Sequence, residues 1–193
     1  MPQTTFKPEP GLSYSAGIAF LLTGGKVMPR LLLVLQGGGE ENPQRGSSVF
    51  VERRSWKMPM GHFDGELDRD LIGAAAREFR EETGLSIDRS QIDPSLAAVI
   101  RIPSQRPGAA FHEDHFFLVA ADEPPAEAPG AVRDARIEAI DFFPIDALPT
   151  GAEPGARGAA IAFGHRKKLA ALLLASASKV DLGDAFRKLA RGG

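Results

Sequence analysis

The chain of 193 residues has 43% hydrophobic and 25% charged residues, which is ordinary for a globular protein and enough for a substantial core. A formal net charge of −2 gives no general attraction to nucleic acid or to anionic membranes, so neither is an expected partner. The absence of cysteine excludes disulfides and thiolate metal sites and fits a reducing compartment, so we expect a cytoplasmic protein.

The first third of the chain is predicted to be mostly extended. Residues 1–12 are Pro-rich and are expected to form an N-terminal arm. The dipeptide Gly24-Gly25 predicts a tight turn, and the Gly-rich residues 37–48 predict a flexible loop that could also close over a ligand. The apolar runs around these turns predict strands at residues 14–23, 30–36 and 49–52.

A single helix with an acidic face is predicted between Asp70 and Gly84. Asp70 is a typical N-cap residue, Gly84 is a typical C-cap residue, and three consecutive alanines between them favour a helix. Glu78, Glu81 and Glu82 are spaced so that their side chains share one helix face. Like charges in this arrangement cost roughly a few tenths of a kcal/mol per pair, so helix stability does not explain the cluster.

Two interpretations of this acidic face are open. It is either a solvated surface without chemistry or a binding site for a divalent cation, which would turn the repulsion into attraction. The preceding turn-rich segment, with Pro59, Gly61, Gly65 and Glu66, favours the cation, because a tight loop before a helix can direct backbone groups toward an ion or a phosphate. Carboxylate and carbonyl oxygens suit Mg²⁺ or Mn²⁺.

This segment resembles the Nudix box, whose pattern is Gly, five residues, Glu, seven residues, and then Arg-Glu-apolar-x-Glu-Glu-x-Gly-apolar. The matching residues are Gly61, Glu66, Arg77, Glu78, Phe79, Glu81, Glu82, Gly84 and Leu85. The half from Arg77 onward matches at every specified position. In the loop half, four residues separate Gly61 from Glu66 and ten separate Glu66 from Arg77, which indicates three inserted residues at 67–69.

The resemblance implies a metal-dependent hydrolase that cleaves the pyrophosphate linkage of a nucleoside diphosphate joined to another group. Water would attack a phosphorus atom, and Mg²⁺ or Mn²⁺ would neutralise charge on the phosphate oxygens. Arg77 is expected to orient a box carboxylate, with Glu66 as its partner. The expected metal ligands are oxygens of the box: the carboxylates of Glu78, Glu81 and Glu82 and the carbonyl of Gly61.

Further substrate-side residues are expected outside the box. Many Nudix proteins carry a Trp shortly before the box Gly, so Trp56 is expected either to line the nucleotide pocket or to lie in the core. Many also supply another carboxylate as a metal ligand or general base, and the candidates here are Glu113, Asp114 and Glu138. Strand alternation would split the polar residues 112–115 between opposite faces, which argues against one four-ligand metal site there.

The second half of the chain predicts further strands and a late helix, which together complete an α/β fold. This element order indicates an α/β/α sandwich with a mixed sheet, the Nudix architecture. We expect residues 1–193 to form one domain, with 176–193 as a C-terminal extension and the basic residues 165–168 as a solvated helix face. The predicted elements are strands at 96–102, 111–121 and 136–144 and helices at 159–175 and 180–191.

The substrate is open between a dinucleoside polyphosphate, ADP-ribose or another nucleotide sugar, and a modified nucleoside triphosphate. A second class of function is also open, because some Nudix-like domains bind nucleotides without hydrolysing them and act as regulators. The complete acidic helix face favours the hydrolase, since a binding protein has no need of three aligned carboxylates. Many Nudix enzymes are dimers, so a homodimer is compatible with the resemblance, although no segment identifies an interface.

Overall fold

The structure is a computed structural model, and it describes residues 6–24, 28–37, 54–104, 106–131 and 133–176. The helices in this part of the chain are α1 (Leu71–Thr83), α2 (Phe163–Ser176) and a short 3-10 helix (Arg89–Gln91). The strands are β1 (Leu12–Leu22), β2 (Arg30–Gln36), β3 (Ser55–Lys57), β4 (Met60–His62), β5 (Leu85–Ser86), β6 (Ala97–Pro103), β7 (Phe111–Ala121), β8 (Ala126–Glu127) and β9 (Ile137–Pro144).

Seven of these strands form one mixed sheet with the order β3-β2-β1-β7-β6, in which β9 also pairs with β2 and β4 with β1. β1 and β7 run parallel from Leu12↔Phe111 to Leu22↔Ala121, and the other pairs in the sheet are antiparallel. β5 and β8 form a separate two-stranded ribbon. Parallel strands need a long connection, and the one between β1 and β7 contains α1.

β1 and β2 separate beyond their turn, and residues 55–63, which we call the crossing segment, run between them. Its first half, β3, pairs with β2, and its second half, β4, pairs with β1. The odd-numbered residues of the segment bond inward to these strands; for example, Ile18 N–H donates to the Pro59 carbonyl and Phe63 N–H donates to the Tyr14 carbonyl. Because backbone groups alternate along a strand, those of the even-numbered residues face the outer edge.

A hydrophobic core lies on each face of the sheet. On one face Ile18 and Phe20 of β1 pack in a cluster with Phe79 of α1, and on the other face Leu21 of β1 packs in a cluster with Leu169 of α2. Alternate residues of one strand therefore serve opposite cores, as strand geometry requires. The predicted α/β/α sandwich with a mixed sheet is confirmed.

Most strand predictions agree closely with the structure. Those at 30–36 and 111–121 match β2 and β7 at both ends, and those at 14–23, 96–102 and 136–144 differ by one or two residues at their ends. The confirmed strands share continuous apolar runs or clear alternation. Such patterns report burial of one or both strand faces directly.

Helix α2 begins later than predicted, at Phe163 instead of residue 159. Residues 160–162 are held extended by the crossing segment, because Trp56 N–H donates to the Ala160 carbonyl at 3.0 Å and Ala162 N–H donates to the Trp56 carbonyl at 2.9 Å. These bonds join residues about a hundred positions apart, so local periodicity does not reveal them.

Several predictions lie outside the described residues. They are the second glycine of the Gly24-Gly25 turn, the loop at 37–48 beyond its first residue, the strand at 49–52, the helix at 180–191 and the C-terminal extension beyond Ser176. Within the residues that the structure does describe, no helix is both long enough and apolar enough to cross a bilayer.

Candidate active site

Helix α1 begins and ends where its capping residues predict. The Asp70 carboxylate accepts from Gly73 N–H at 2.9 Å, and Gly84 adopts a left-handed φ of 71° while its N–H donates to the Arg80 carbonyl. Both predicted caps are confirmed. Phe79 points into the core, which leaves the carboxylates of the next helix face directed at strand β4.

Strand β4 and α1 meet through the outer edge of the crossing segment. Met60 N–H donates to Glu82 Oε2 at 3.0 Å, and Arg77 Nη2 donates to the His62 carbonyl at 2.9 Å. Between these two contacts, Gly61 faces Glu78 with no room for a side chain: an added Cβ would lie 2.0 Å from Glu78 Cδ. The glycine of the box therefore provides the space in which the Glu78 carboxylate lies.

Glu82 is buried and Glu78 is half-buried, and burial disfavours the charged form of both carboxylates. Glu82 is only 9% exposed, and burial raises its pKa to about 8, with the neighbouring Glu78 and Asp134 carboxylates adding to the rise. Burial also raises the pKa of Glu78, against the opposing charge and hydrogen bond of Arg77. Glu81 is half-exposed and pairs with Arg77 at 3.0 Å, as the i, i+4 spacing predicts. The site thus favours an additional cation.

The register of β4 turns the Gly61 carbonyl, the predicted backbone ligand, away from the carboxylates. Residues 59, 61 and 63 are alternate residues of the segment, and both Pro59 and Phe63 hydrogen-bond to β1 through their backbone. Gly61, which pairs with Ala16, therefore also directs its carbonyl toward β1 and not toward the carboxylates. The N–H and C=O of one strand residue point the same way, and Met60 N–H binds Glu82. The carbonyl at the carboxylate edge is therefore that of Met60.

The donor set fits Mg²⁺ or Mn²⁺. Among the described residues, no three His, Asp or Glu side chains converge as a preformed metal cage. Glu78, Glu82 and the Met60 carbonyl instead provide a small set of hard oxygen donors on one side only. Mg²⁺ commonly uses one or two carboxylates together with waters and substrate phosphates, which matches this open arrangement.

Arg77 bonds to the box carboxylates Glu78 and Glu81 as predicted, but Asp68 and not Glu66 is its further partner. Arg77 forms two bonds with Asp68, from Nε to Oδ1 at 2.9 Å and from Nη2 to Oδ2 at 2.8 Å, while Glu66 is exposed. Asp68 is 7% exposed and also accepts from Asp64 N–H at 2.9 Å. Asp68 therefore has the role expected of Glu66, because the loop folds back through Asp64 and brings the later carboxylate to the helix. The residue assigned to an insertion is a structural part of the site.

We predict that Asp68→Asn will destabilise the protein by about 3 kcal/mol, because removing one partner of a buried ion pair leaves the Arg77 charge poorly compensated. Activity should fall about 10- to 100-fold, since Arg77 also orients Glu78 and Glu81. Denaturant unfolding and steady-state kinetics measure the two effects. Glu66→Gln is the matched control and should change stability by less than about 0.5 kcal/mol. Equal effects of the two substitutions would contradict this assignment.

The polar residues 112–115 divide between the two faces of the sheet, as alternation predicts. His112 Nε2 lies 3.1 Å from Asp114 Oδ1, and His115 Nε2 lies 3.0 Å from Glu113 Oε2. Asp114 is 3% exposed and also pairs with Lys168 of α2 at 2.7 Å. The basic residues 165–168 are therefore not one solvated face, since two of them turn toward the sheet.

The other two carboxylate candidates have cationic partners. Arg101 on the neighbouring strand β6 binds Glu113. Burial alone would raise the pKa of Glu113, but the hydrogen bonds from Arg101 and His115 hold it below its usual value, which makes it a weaker base. Glu138 on β9 is 39% exposed and pairs with Arg54 at 2.8 Å. A contact of Glu113, Asp114 or Glu138 with the substrate stays a prediction.

Trp56 does not line a pocket. Trp56 has no exposed surface, and its Nε1–H donates to the Ala156 carbonyl at 2.8 Å. Its ring packs edge-on against that of Phe143, with the ring centroids 4.8 Å apart. The pocket interpretation is wrong and the core interpretation is correct: the ring fills the core between the sheet and the segment before α2.

Two further charged residues near Glu82 were not found by sequence reasoning. Asp134 raises the pKa of Glu82 and Lys57 lowers it, so both lie within electrostatic range of that carboxylate. Asp134 N–H donates to the Glu81 carbonyl at 2.8 Å, and the Asp134 carboxylate pairs with Arg136 at 2.6 Å. They lie in a loop and on a short strand with no periodic signal, so only the folded chain brings them to α1.

Comparison with known proteins agrees with the fold described above. The family model described as the NUDIX domain matches residues 14–163. A MutT/nudix family protein from Enterococcus faecalis superposes with a TM-score of 0.59 at 16% identity, covering 98% of this chain and 71% of that one. A MutT NUDIX hydrolase from Burkholderia pseudomallei gives 0.52 at 22% identity, covering 83% and 97%. The NUDIX domain of Shewanella oneidensis NrtR complexed with ADP ribose gives 0.54 at 13%, covering 86% and 88%. No curated protein matches the chain significantly.

Proposed function

The chain belongs to the Nudix family of pyrophosphohydrolases, and on that premise we propose that it uses a divalent cation to cleave the pyrophosphate linkage of a nucleoside diphosphate joined to another group. The observation that carries this proposal is that the half-buried Glu78 and the buried Glu82 carboxylates lie together at the outer edge of β4. Two such carboxylates without a neutralising cation are costly to the fold, so their presence is best explained by ion binding.

Each side chain of the site has a defined task in this proposal. Met60 N–H fixes one oxygen of Glu82, and Arg77 Nη1 binds Glu78 Oε1 at 2.8 Å, so both carboxylates are oriented before substrate arrives. Glu78, Glu82 and the Met60 carbonyl would hold Mg²⁺ or Mn²⁺. When bound, the ion would neutralise charge on the phosphate oxygens and acidify a water molecule.

Glu81 is the box carboxylate to which we assign the proton from the attacking water. Its side chain is half-exposed, so water reaches it, and Arg77 Nη1 restrains it by pairing with Glu81 Oε2 at 3.0 Å. The candidates outside the box are less suitable, because Arg101 and His115 lower the pKa of Glu113 and Lys168 neutralises the buried Asp114. The electron pair of the broken P–O bond leaves with the bridging oxygen, which releases two phosphate-containing products.

The substrate is proposed only as a class. A dinucleoside polyphosphate, ADP-ribose or another nucleotide sugar, and a modified nucleoside triphosphate all present the required pyrophosphate. The complex of the Shewanella NrtR domain with ADP ribose makes ADP-ribose the first compound to test. A cytoplasmic location and assembly as a homodimer stay predictions from the sequence and its family resemblance.

We predict metal-dependent turnover of at least one of these classes. A panel of the three, assayed for phosphate or mononucleotide release with Mg²⁺, with Mn²⁺ and with chelator, names the substrate. Glu82→Gln should lower turnover about a thousandfold, because it removes a charged ligand from the centre of the site. Chelator should abolish turnover in the wild type.

The alternative function, a nucleotide-binding regulator, gives a different result in the same panel. It would bind a nucleotide without releasing product, and Glu82→Gln would alter its affinity only. Nucleotide binding by calorimetry with no turnover under any metal condition would therefore replace the hydrolase with the regulator. Turnover that persists in Glu82→Gln would contradict the site assignment.

A further inference from the structure

We propose that His165 is a positioning residue of the active site, because its imidazole fixes the crossing segment at Met58 and thereby places the Met60 N–H that binds Glu82. This inference deepens the proposed function and rests on it for the meaning of the site. It concerns a residue on α2, on the opposite face of the sheet from the helix that carries the box carboxylates.

The outer edge of the crossing segment carries a continuous row of contacts on successive even-numbered residues. All of them use backbone groups that the inner ladders leave available. In chain order, the contacts are Trp56 with the backbone of residues 160 and 162, Met58 with His165, Met60 with Glu82, and His62 with Arg77. The row therefore begins at the segment before α2 and ends at the catalytic helix α1.

His165 supplies a side-chain acceptor at the point where this backbone pairing ends. Residues 160–162 supply main-chain partners for Trp56, but the chain then turns into α2, where His165 N–H bonds back to the Ala162 carbonyl at 2.9 Å. The next donor on the outer edge is the N–H of Met58, a fully buried residue. It donates to a side chain and not to the backbone, with His165 Nδ1 as the acceptor at 3.1 Å. A buried N–H without a partner is costly, so this acceptor fixes the segment at Met58.

The imidazole is suited to this role because it is neutral and buried. His165 is 7% exposed, and burial lowers its pKa to about 3, with the positive charges of Lys168 and Lys57 adding to the effect. The imidazole packs edge-on against the Phe116 ring, with the two ring centroids 6.0 Å apart. One turn further along α2, Lys168 pairs with the buried Asp114 of β7, which fixes the helix against the sheet.

Only Pro59 separates the fixed Met58 from Met60. Its carbonyl accepts from Ile18 N–H at 3.0 Å, so the segment is held on both edges at adjacent residues. Losing the Met58 contact would free the segment to shift along its outer edge and would misplace the Met60 N–H. The expected consequence is a poorly oriented Glu82, with weaker metal binding and a lower kcat but little change in KM.

The test compares four variants at a temperature where each is folded. His165→Leu removes the acceptor, and His165→Gln places its amide oxygen further from the backbone than Nδ1. His165→Asn keeps an acceptor close to the Nδ1 position. Leu172→Ala is the matched control, since it opens the same core from the same helix but leaves the His165 acceptor of Met58 N–H in place. Mn²⁺ affinity is measured by electron paramagnetic resonance, and kcat and KM are measured on the substrate found in the panel.

We expect His165→Leu and His165→Gln to weaken Mn²⁺ binding and lower kcat about tenfold or more, as disrupted outer-shell partners of metal ligands do. His165→Asn should restore both within about threefold, and Leu172→Ala should leave both near wild type. Wild-type Mn²⁺ affinity and kcat in either acceptor-deficient variant would overturn the inference, as would an equal loss in Leu172→Ala.

The two proposals fail in distinguishable ways. If the wild type binds Mn²⁺ but hydrolyses nothing in the panel, the proposed function fails, and the Mn²⁺ series still tests the role of His165. If His165→Leu does not fold, the comparison of His165→Gln with His165→Asn replaces it, and equal Mn²⁺ affinities in that pair overturn the inference.

Discussion

Replacing Gly61 by alanine is expected to lower kcat/KM roughly a hundredfold or more, because the site depends on a carboxylate held in one position. The added Cβ would lie 2.0 Å from Glu78 Cδ and within 2.3 Å of both carboxylate oxygens. No relaxation of a few tenths of an ångström removes such an overlap, so Glu78 must leave its place beside β4. Steady-state kinetics and Mn²⁺ titration measure the loss.

Gly65→Ala is the matched control for Gly61→Ala, since it makes the same change four residues later, between β4 and α1. The nearest atom to a Cβ at Gly65 is Phe63 Cε1 at 3.8 Å, which is an ordinary contact. We expect wild-type kinetics from Gly65→Ala within about twofold and a stability change of less than about 0.5 kcal/mol. Wild-type activity in Gly61→Ala would show that Glu78 is not needed where the structure places it.

The metal-free protein is expected to lose stability as the pH rises from about 4.5 to about 8, through ionisation of Glu82. Its pKa is raised from an ordinary 4.5 to about 8, chiefly by burial. In this window the unfolded chain releases the proton while the folded protein keeps it, so the free energy of unfolding falls and then levels off above about pH 8. A tenfold change in a proton equilibrium is about 1.4 kcal/mol, so the total is on the order of a few kcal/mol.

Denaturant unfolding with chelator, at several pH values, isolates this contribution as the difference between wild type and Glu82→Gln. Glutamine resembles the protonated acid, so the variant should become progressively more stable than wild type between about pH 4.5 and 8. Glu66→Gln, at an exposed position, should show no such trend. Saturating Mg²⁺ should reverse the wild-type trend, because the ion binds the ionised carboxylates of the folded state. A flat difference across this pH range would refute the burial of Glu82.

Local chemistry explains why α1 and the central strands could be predicted. The caps Asp70 and Gly84 and the alanines between them act within a few residues, so the helix and its carboxylate face follow from spacing alone. β2 and β7 carry apolar patterns that only a buried or half-buried strand satisfies. The same patterns, ordered along the chain, were sufficient for the sandwich.

The errors at the site share one cause, which is that a motif gives order along the chain and not direction in space. Glu66 stands in the motif position, but the loop turns Asp68 toward Arg77. Gly61 is the box residue, but the register with β1 turns its carbonyl away and presents that of Met60. Trp56 lies beside the box, yet its ring belongs to the core under α2.

The sequence by itself determined the family, the acidic helix and the sandwich, because these depend on contacts between residues that are close in the chain or on repeated burial patterns. The tertiary structure alone decided which oxygens lie together between β4 and α1 and which side chain accepts from Met58 N–H. Those choices depend on hydrogen bonds between residues many positions apart, such as Met60 with Glu82 and Met58 with His165. Only a folded chain can satisfy its buried donors in this way, and no local pattern records which partner each donor will find.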